Sequence, residues 1–428
     1  MGFEGIRQCM DAFTVALNQA CEGGEKRWYT STLELQLASL ALCSACRSVP
    51  TLHVRVRDQT PRTLWCRQTQ NAQRHTRSFD VRIASRVPIV RAFGVKWELL
   101  IKVMQNTAME WWEGSLEIVS FGGHFNECIS RVVWPASLRK LSFGGLNQPI
   151  DGVMWPASLQ HLSFAGEFNQ PVKDVEWPHS LRQLSLGHCF NQPIDGVTWP
   201  PSLQQLSFGA KFNHPIAGVL WPPSLQQISF GWDLNQSIVR VVWPAFLQSI
   251  SFGWDFNQSI IGVVWPASLQ QLSFGGQFNQ SIIGVVWPAS LLELSFGYFF
   301  NQPIVGVIWP ASLQCVSLGE YFNQPIVEVV WPVPLQKLSF GSDFNQPVAG
   351  VVWPASLQQL SFGWDFNQPI AGAVWPVSLK CLSLGEEFNQ PLAEVVWPAS
   401  LQSVTRVVGR DDDNGEGYER GSKEISLL

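Results

Sequence analysis

Charged and chemically reactive side chains are scarce in this chain. Only 14% of its 428 residues are charged, and it contains 7 His, 5 Met and 4 Tyr. Residues 111–408 carry 10 Lys or Arg against 18 Asp or Glu, whereas residues 1–110 carry 15 against 9. Because phosphate binding requires clustered cations, we expect no nucleic-acid partner for the acidic middle of the chain.

Long apolar runs and targeting signals are also missing. No stretch of about 18 uninterrupted apolar residues occurs, which predicts no transmembrane helix and no membrane partner. The first residues, MGFEGIRQCM, lack the basic and then apolar pattern of a secretory signal. Ile6 occupies the position where a myristoylation site has Ser or Thr, so we expect no lipid anchor.

Motifs for catalysis, metal binding or cofactor binding are missing as well. A structural zinc site needs four convergent ligands, and the spacing of His and Cys provides no such set. Cys43 and Cys46 form a single CxxC pair, for which buried or idle thiols are the usual explanation. No glycine-rich phosphate loop precedes a helix, and no nucleophile elbow is present. We therefore predict a protein that is not an enzyme and has no catalytic residue, metal or cofactor.

Tryptophan, by contrast, is abundant and recurs at a fixed spacing. Of the 21 tryptophans, thirteen precede a proline; the first step between them is 21 residues and every later one is 22. They are Trp134, Trp155, Trp177, Trp199, Trp221, Trp243, Trp265, Trp287, Trp309, Trp331, Trp353, Trp375 and Trp397. A period this short and this strict is typical of a solenoid, which begins near residue 111 with an imperfect coil around Trp112.

Each repeat has the pattern of one short strand and an extended return. In residues 196–216, GVTWPPSLQQLSFGAKFNHPI, Leu206 and Phe208 alternate with polar residues, as in a strand with one buried face. Gly209 ends this strand, at a point where unusual backbone angles would favour glycine. Pro215 then prevents further pairing, and no segment has helical spacing.

Stacking of identical coils is what would give each coil an interior. One coil of 22 residues cannot bury its Trp, Phe, Leu, Ile and Val alone, but on a neighbour each side chain meets its equivalent. A large aromatic side chain buries about 150–250 Å², worth roughly 4–6 kcal/mol before entropy. Thirteen regularly spaced asparagines, from Asn126 to Asn389, are predicted to satisfy backbone groups in the turns, coil after coil.

The phrases FNQPI and WPxSLQQLSFG, repeated every 22 residues, make the chain resemble the FNIP-repeat family, a short relative of the leucine-rich repeat. The resemblance covers residues 111–404. This chain differs from the family pattern by having Trp before the proline and, in several repeats, Gln-Ser in place of Gln-Pro, as at Gln236-Ser237. It implies a leucine-rich-repeat-like solenoid and a binding role. The predicted fold class is mostly β: a parallel β solenoid of 22-residue coils with a small α-helical N-terminal segment.

The cysteines of the repeats indicate the compartment. Cys315 and Cys381 occupy the same repeat position three coils apart, which places their Cα atoms about 14 Å apart if coils stack at about 4.8 Å. That separation is too large for a disulfide, so we expect free thiols in a reducing compartment and a cytoplasmic protein.

Function is expected where the repeats differ, at the two residues after the strand-ending glycine. Exposed aromatic and acidic residues there could form a strip for a protein partner; alternatively, they are tolerant loop residues that pack on their neighbours. The candidates are Trp232, Asp233, Trp254, Asp255, Tyr298, Phe299, Tyr321, Trp364 and Asp365. We predict a non-catalytic, monomeric protein-interaction scaffold, and keep as an alternative a carbohydrate-binding solenoid in which Trp232, Trp254 and Trp364 stack on sugars.

The two ends of the chain do not follow the repeat. Residues 1–48 contain two amphipathic patterns and are predicted to form a helical cap or adaptor. Residues 49–110 contain only brief alternations, LHVRV and FDVRI, and are predicted to be a weakly ordered linker or cap. The solenoid is assigned to residues 111–408, and residues 409–428 to a disordered acidic tail.

Overall fold

The computed structural model describes the backbone of residues 52–57, 78–84, 117–123, 125–409 and 420–424, and the side chains of 117–123 and 125–406. The helices expected within residues 1–48, and the first coil around Trp112, lie outside the described residues. Within the described residues the secondary structure consists of strands and turns, with no helix.

The strands are short, and those of the repeats span three or four residues. In chain order they are β1 Leu52–Arg57, β2 Ser78–Ala84, β3 Ile118–Phe121, β4 Lys140–Phe143, β5 His161–Phe164, β6 Gln183–Ser185, β7 Gln205–Ser207, β8 Gln227–Ser229, β9 Ser249–Ser251, β10 Gln271–Ser273, β11 Glu293–Ser295, β12 Cys315–Ser317, β13 Lys337–Ser339, β14 Gln359–Ser361, β15 Cys381–Leu384, β16 Ser403–Gly409 and β17 Arg420–Glu424.

The first of two compact units comprises residues 1–166 and 176–181. Its strands β3, β4 and β5 are parallel and in register, with Leu141 opposite both Val119 and Leu162. Strand β2 pairs antiparallel with β3, and β1 pairs antiparallel with β2. Strands β1 and β2 coincide with the two alternations LHVRV and FDVRI, so the segment expected to be weakly ordered contains a two-stranded antiparallel pair.

The second unit comprises residues 167–175 and 182–428 and contains strands β6 to β17. Strands β6 to β16 are parallel, and each pairs with the strand one coil further along the chain; Leu272, for example, lies opposite Ile250 and Leu294. Strand β17 reverses direction and pairs antiparallel with β16. Residues 420–424 therefore form a strand within the segment expected to be a disordered tail, and this strand occupies backbone groups that a free sheet edge would expose.

The core consists of columns of equivalent side chains, as the stacking argument predicts. Trp265 is 7% exposed and stacks on Trp243 with ring centroids 6.5 Å apart and planes 10° apart. In the same coil, Phe274 and Phe278 lie 4.2 Å apart, and Phe278 is fully buried. These contacts recur from coil to coil, which confirms a parallel β solenoid with an aromatic interior.

The tryptophan column carries a polar cost that the sequence does not reveal. The indole N–H groups of twelve of these side chains are buried without a hydrogen-bond partner. They belong to Trp134, Trp155, Trp177, Trp199, Trp221, Trp243, Trp265, Trp287, Trp309, Trp331, Trp353 and Trp375. An unpartnered buried donor costs about 1–3 kcal/mol, which offsets part of the gain from burying the ring.

The asparagines form the ladder that the sequence predicts. Asn257 Oδ1 accepts hydrogen bonds from the backbone N–H of Asn279 at 2.9 Å and from Nε2 of Gln280 at 3.0 Å. The N–H of Asn257 donates in turn to Oδ1 of Asn235 at 3.0 Å. The side chain thus satisfies a turn amide of the following coil, which confirms its predicted role and fixes the register between coils.

The strand-ending glycines of the second unit serve a different purpose from the one predicted. Gly209 does not have a positive φ. A Cβ added to it would overlap the backbone carbonyl of Gly187 in the preceding coil. Positive φ occurs instead at the glycine of the return, with values of 83° at Gly262 and 86° at Gly284. Close approach of successive backbones, rather than unusual backbone angles, therefore selects glycine at the end of the strand.

Candidate interaction surface on the rim

The rim is the pair of residues that follows the strand-ending glycine in each coil of the second unit. The backbone N–H of the second rim residue donates to the carbonyl of the first rim residue one coil earlier. This bond measures 2.8 Å from Asp255 to Trp232 and 2.8 Å from Asp365 to Ser342. It recurs along the rim, so the variable residues stand on a regular backbone rather than on irregular loops.

Five of the predicted site residues form one continuous cluster, which we call the aromatic rim cluster: Trp232, Trp254, Tyr298, Phe299 and Tyr321. Trp254 lies 5.7 Å from Trp232 and 5.9 Å from Tyr298, measured between ring centroids. Phe299 stacks on Tyr321 at 5.1 Å, and Tyr298 meets Tyr321 edge-on at 5.0 Å. The five rings belong to four coils. One further coil, which has no aromatic residue on the rim, lies between those of Trp254 and Tyr298.

Gly276 explains how the cluster crosses a coil that has no aromatic residue on the rim. A Cβ added to Gly276 would lie 2.5 Å from the ring of Trp254, so the indole occupies the space that a side chain would fill. Trp254 thereby extends over its neighbouring coil and reaches Tyr298 in the next one. Sequence reasoning missed Gly276; the only signal was a glycine at a rim position between two aromatic coils.

The cluster remains accessible despite these contacts. Trp232 is 57% exposed, Tyr298 42%, Tyr321 38% and Trp254 36%, while Phe299 is half-buried. The nearby charge of Tyr321, and then a hydrogen bond between the two side chains, raise the pKa of Tyr298.

A polar groove of about 420 Å³ lies along the same part of the rim. We call it the amide–carboxylate groove, and its lining residues are Asn213, Asp233, Asn235, Asp255, Asn257 and Gln277. Asp233 forms an ion pair with Lys211 at 3.4 Å. The oxygens of its three asparagines already accept hydrogen bonds from the following coil, so the two carboxylates are the groups that the groove offers to a cationic donor.

The acidic character continues beyond the cluster. From residue 232 to residue 387 the rim positions carry seven carboxylates and no Lys or Arg. They are Asp233, Asp255, Glu320, Asp343, Asp365, Glu386 and Glu387. Burial raises the pKa of Asp343, and the nearby charges of Asp365 and Glu320 raise it further. Like charges thus stand close together on this rim.

The remaining two predicted site residues, Trp364 and Asp365, are not part of the cluster. They lie on the rim of β14's coil, two coils beyond Tyr321, and the coil between them has Ser342 and Asp343 at the rim. Trp364 is half-buried and Asp365 is exposed. The predicted site therefore divides into one contiguous aromatic surface and a separate Trp-Asp pair.

The described side chains include no group of three or more His, Cys, Asp or Glu that could hold a metal ion. Cys128, Cys189, Cys315 and Cys381 are free, as the spacing argument predicts. The described part of the chain also has no helix with the length and apolar character needed to cross a membrane.

The repeat unit matches a known family model along most of the solenoid. The model, described as FNIP Repeat, matches residues 147–189, 190–233, 212–255, 234–277, 256–299, 300–343, 322–365, 344–374 and 366–405. The chain belongs to the FNIP-repeat family. This confirms the resemblance seen in the repeated FNQPI and WPxSLQQLSFG phrases.

A solved leucine-rich-repeat structure resembles this FNIP-repeat protein in fold. A crystal structure of CroV588, described as a novel circular LRR protein, is 45% identical with a TM-score of 0.62 and covers 66% of this chain. The match spans only 42% of that protein's length. An internalin from Listeria monocytogenes is 14% identical with a TM-score of 0.48, and the match covers 71% of this chain and 92% of the internalin chain. No curated protein matches the sequence.

Proposed function

We propose that this FNIP-repeat protein is a non-catalytic scaffold that binds a protein partner along the aromatic rim cluster. The observation that carries the proposal is the contiguity of the five rings, four of which are more than a third exposed. Tyrosine and tryptophan dominate the energetics of protein interfaces because they bury much surface at little entropic cost. The regular backbone beneath them holds the surface in place before binding.

The charges beside the cluster specify the chemistry of the partner segment. Seven carboxylates without a Lys or Arg at rim positions 232–387 favour a segment that carries Lys or Arg. A guanidinium can lie over an exposed indole and donate to a neighbouring carboxylate. We therefore expect a partner segment in which cationic residues alternate with apolar ones.

A carbohydrate ligand is the second candidate, because Trp232 presents more than half of its surface. Stacking on a sugar, however, requires an open ring face. The ring of Trp254 covers Gly276 and contacts both Trp232 and Tyr298. Trp254 is thus one member of a packed surface rather than a free platform, and this favours the protein partner.

Selection from a displayed random-peptide library tests the proposal. Full-length protein is used as bait, and binders are compared on the wild type, on Trp232→Ala/Trp254→Ala, and on Trp364→Ala as the matched rim control. We expect enriched peptides rich in Arg or Lys with apolar neighbours, at least tenfold weaker binding to the double variant, and unchanged binding to the control.

Two results would count against the proposal. Equal binding to the double variant would place the interaction elsewhere. Binding on a glycan array that Trp232→Ala abolishes, with no peptide enriched, would favour the carbohydrate ligand instead.

We also infer a cytoplasmic location, supported by the four free thiols of the described coils.

A further inference from the structure

A second exposed surface runs along the return of the second unit, at the residue before each core tryptophan. Nine successive coils place an aliphatic residue there, each 76–85% exposed. We call these residues the aliphatic stripe: Leu220, Val242, Val264, Val286, Ile308, Val330, Val352, Val374 and Val396. The flanking positions point inward, since Val263 is 4% and Trp265 7% exposed. The stripe therefore faces away from the core throughout.

The fold itself does not require an aliphatic residue at this position. Glu176 and Thr198 occupy it in two other coils and are exposed. The tryptophans that follow them, Trp177 and Trp199, are as buried as the others, at 7% and 6%. A polar residue is thus compatible with the same backbone, so neither core packing nor strand preference accounts for nine aliphatic residues in succession.

The exposed apolar surface is wide as well as long. Val333 and Val377, which follow the proline of the return, are 83% and 78% exposed, and Phe246 is 67% exposed. Burying an aliphatic side chain removes about 60–120 Å² from water, so nine stripe residues offer roughly 800 Å². That is the contribution of each partner to a stable interface of standard size, and it exceeds the exposed apolar patches that are common on monomers.

We propose that the aliphatic stripe is the interface between two copies of this chain. A symmetric dimer needs a patch that complements itself, and an uncharged row of similar side chains does so without like-charge repulsion. The row also repeats once per coil, and the core tryptophans that follow its residues recur with ring centroids 6.5 Å apart, as between Trp243 and Trp265. A partner that covers all nine positions must present apolar groups at that same spacing, and a second copy of the stripe does this. The proposal replaces the expectation of a monomer and is independent of binding at the rim.

Sedimentation velocity of the full-length chain tests the dimer. We expect the wild type at micromolar concentration to have twice the mass of one chain, and to keep it at high salt, because the contact is apolar. Val286→Lys/Val330→Lys should sediment as a monomer while its circular dichroism spectrum stays unchanged. Thr198→Lys, the matched control at the same repeat position outside the stripe, should remain a dimer.

Cross-linking tests whether the stripe itself is in contact. Ile308 is the fifth of the nine residues, so it approaches its equivalent whether the two stripes run parallel or antiparallel. With copper–phenanthroline as oxidant, Ile308→Cys should give a covalent dimer well above the wild-type background.

Several outcomes would overturn the proposal. They are a monomeric wild type, a dimer that survives Val286→Lys/Val330→Lys, and a polydisperse aggregate. A monomer that floats with phosphatidylcholine–phosphatidylserine vesicles would likewise refute it and assign the stripe to a lipid surface.

Discussion

Replacement of a single core tryptophan measures how much each aromatic column contributes. Trp265 is 7% exposed and stacks on Trp243, so Trp265→Ala removes nearly all of one indole from the core. Burial of about 200 Å² at 25 cal/mol per Å² sets an upper limit near 5 kcal/mol. The cavity left behind gives a similar figure, and we expect a loss of about 3–5 kcal/mol in the free energy of unfolding.

The unpartnered indole N–H makes a second variant informative. Trp265→Phe also loses ring area, but it removes a buried donor that has no hydrogen-bond partner. Relief of about 1–3 kcal/mol should offset much of the lost burial, so we expect a cost of only about 1–2 kcal/mol. The comparison separates the contribution of the ring from the penalty of its N–H group.

Urea denaturation followed by far-ultraviolet circular dichroism is the appropriate assay, since the chain has too many tryptophans for a local fluorescence signal. Thr198→Ala, at an exposed position, serves as control and should change stability by less than about 0.5 kcal/mol. If Trp265→Phe were as damaging as Trp265→Ala, the N–H would have to be hydrogen-bonded. If Trp265→Ala had no effect, the stacking account of stability would be wrong.

Three further changes follow from described contacts. Gly275→Ala should cost about 3 kcal/mol in urea unfolding, because its Cβ would overlap the glycine carbonyl of the preceding coil, and a near-zero change would refute that close approach. Because the pKa of Asp343 is raised in the folded state, its ionised carboxylate lowers the free energy of unfolding at neutral pH. This destabilisation decreases as the pH falls through the folded-state pKa towards the unfolded-state pKa. Asp343→Asn should therefore raise the melting temperature at pH 7 but not at pH 3, and an equal shift at both would contradict the electrostatic cause. Hydrogen bonds from Ser130 lower the pKa of Cys128, whereas burial and then the charge of Glu293 raise the pKa of Cys315. Mass spectrometry should therefore find that iodoacetamide alkylates Cys128 faster than Cys315 at pH 7.5. The reverse order would refute the two pKa shifts.

Much of the fold can be predicted from the sequence because every coil repeats the same pattern of strand, core and turn residues. The alternation of Leu206 and Phe208 predicts a short strand, and the fixed phase of tryptophan predicts a column. The regular asparagines predict a ladder of turn hydrogen bonds, and Asn257 forms these bonds. Each of these conclusions uses only a local pattern and the fact that it repeats.

Distances between neighbouring coils and the directions of individual side chains could not be predicted in this way. The close approach at Gly209 depends on the distance between two backbones, and the bridge over Gly276 depends on the direction in which one indole turns. The aliphatic stripe lies outside that expectation, because function is expected where the repeats differ and the stripe is nearly the same in nine coils. Val264 is nearly invariant in character and yet 78% exposed, so constancy alone does not indicate burial.

The asparagine ladder also bears on how such a chain can change in length. In the second unit each link joins a residue to its counterpart 22 positions away, so gain or loss of a whole 22-residue segment by unequal recombination restores each link with a new neighbour. The aromatic rim cluster is not interchangeable in this sense, because deletion of the coil that contains Gly276 would drive Trp254 into Tyr298. The interior therefore tolerates recombination in whole coils, whereas the rim preserves the order in which particular coils occur.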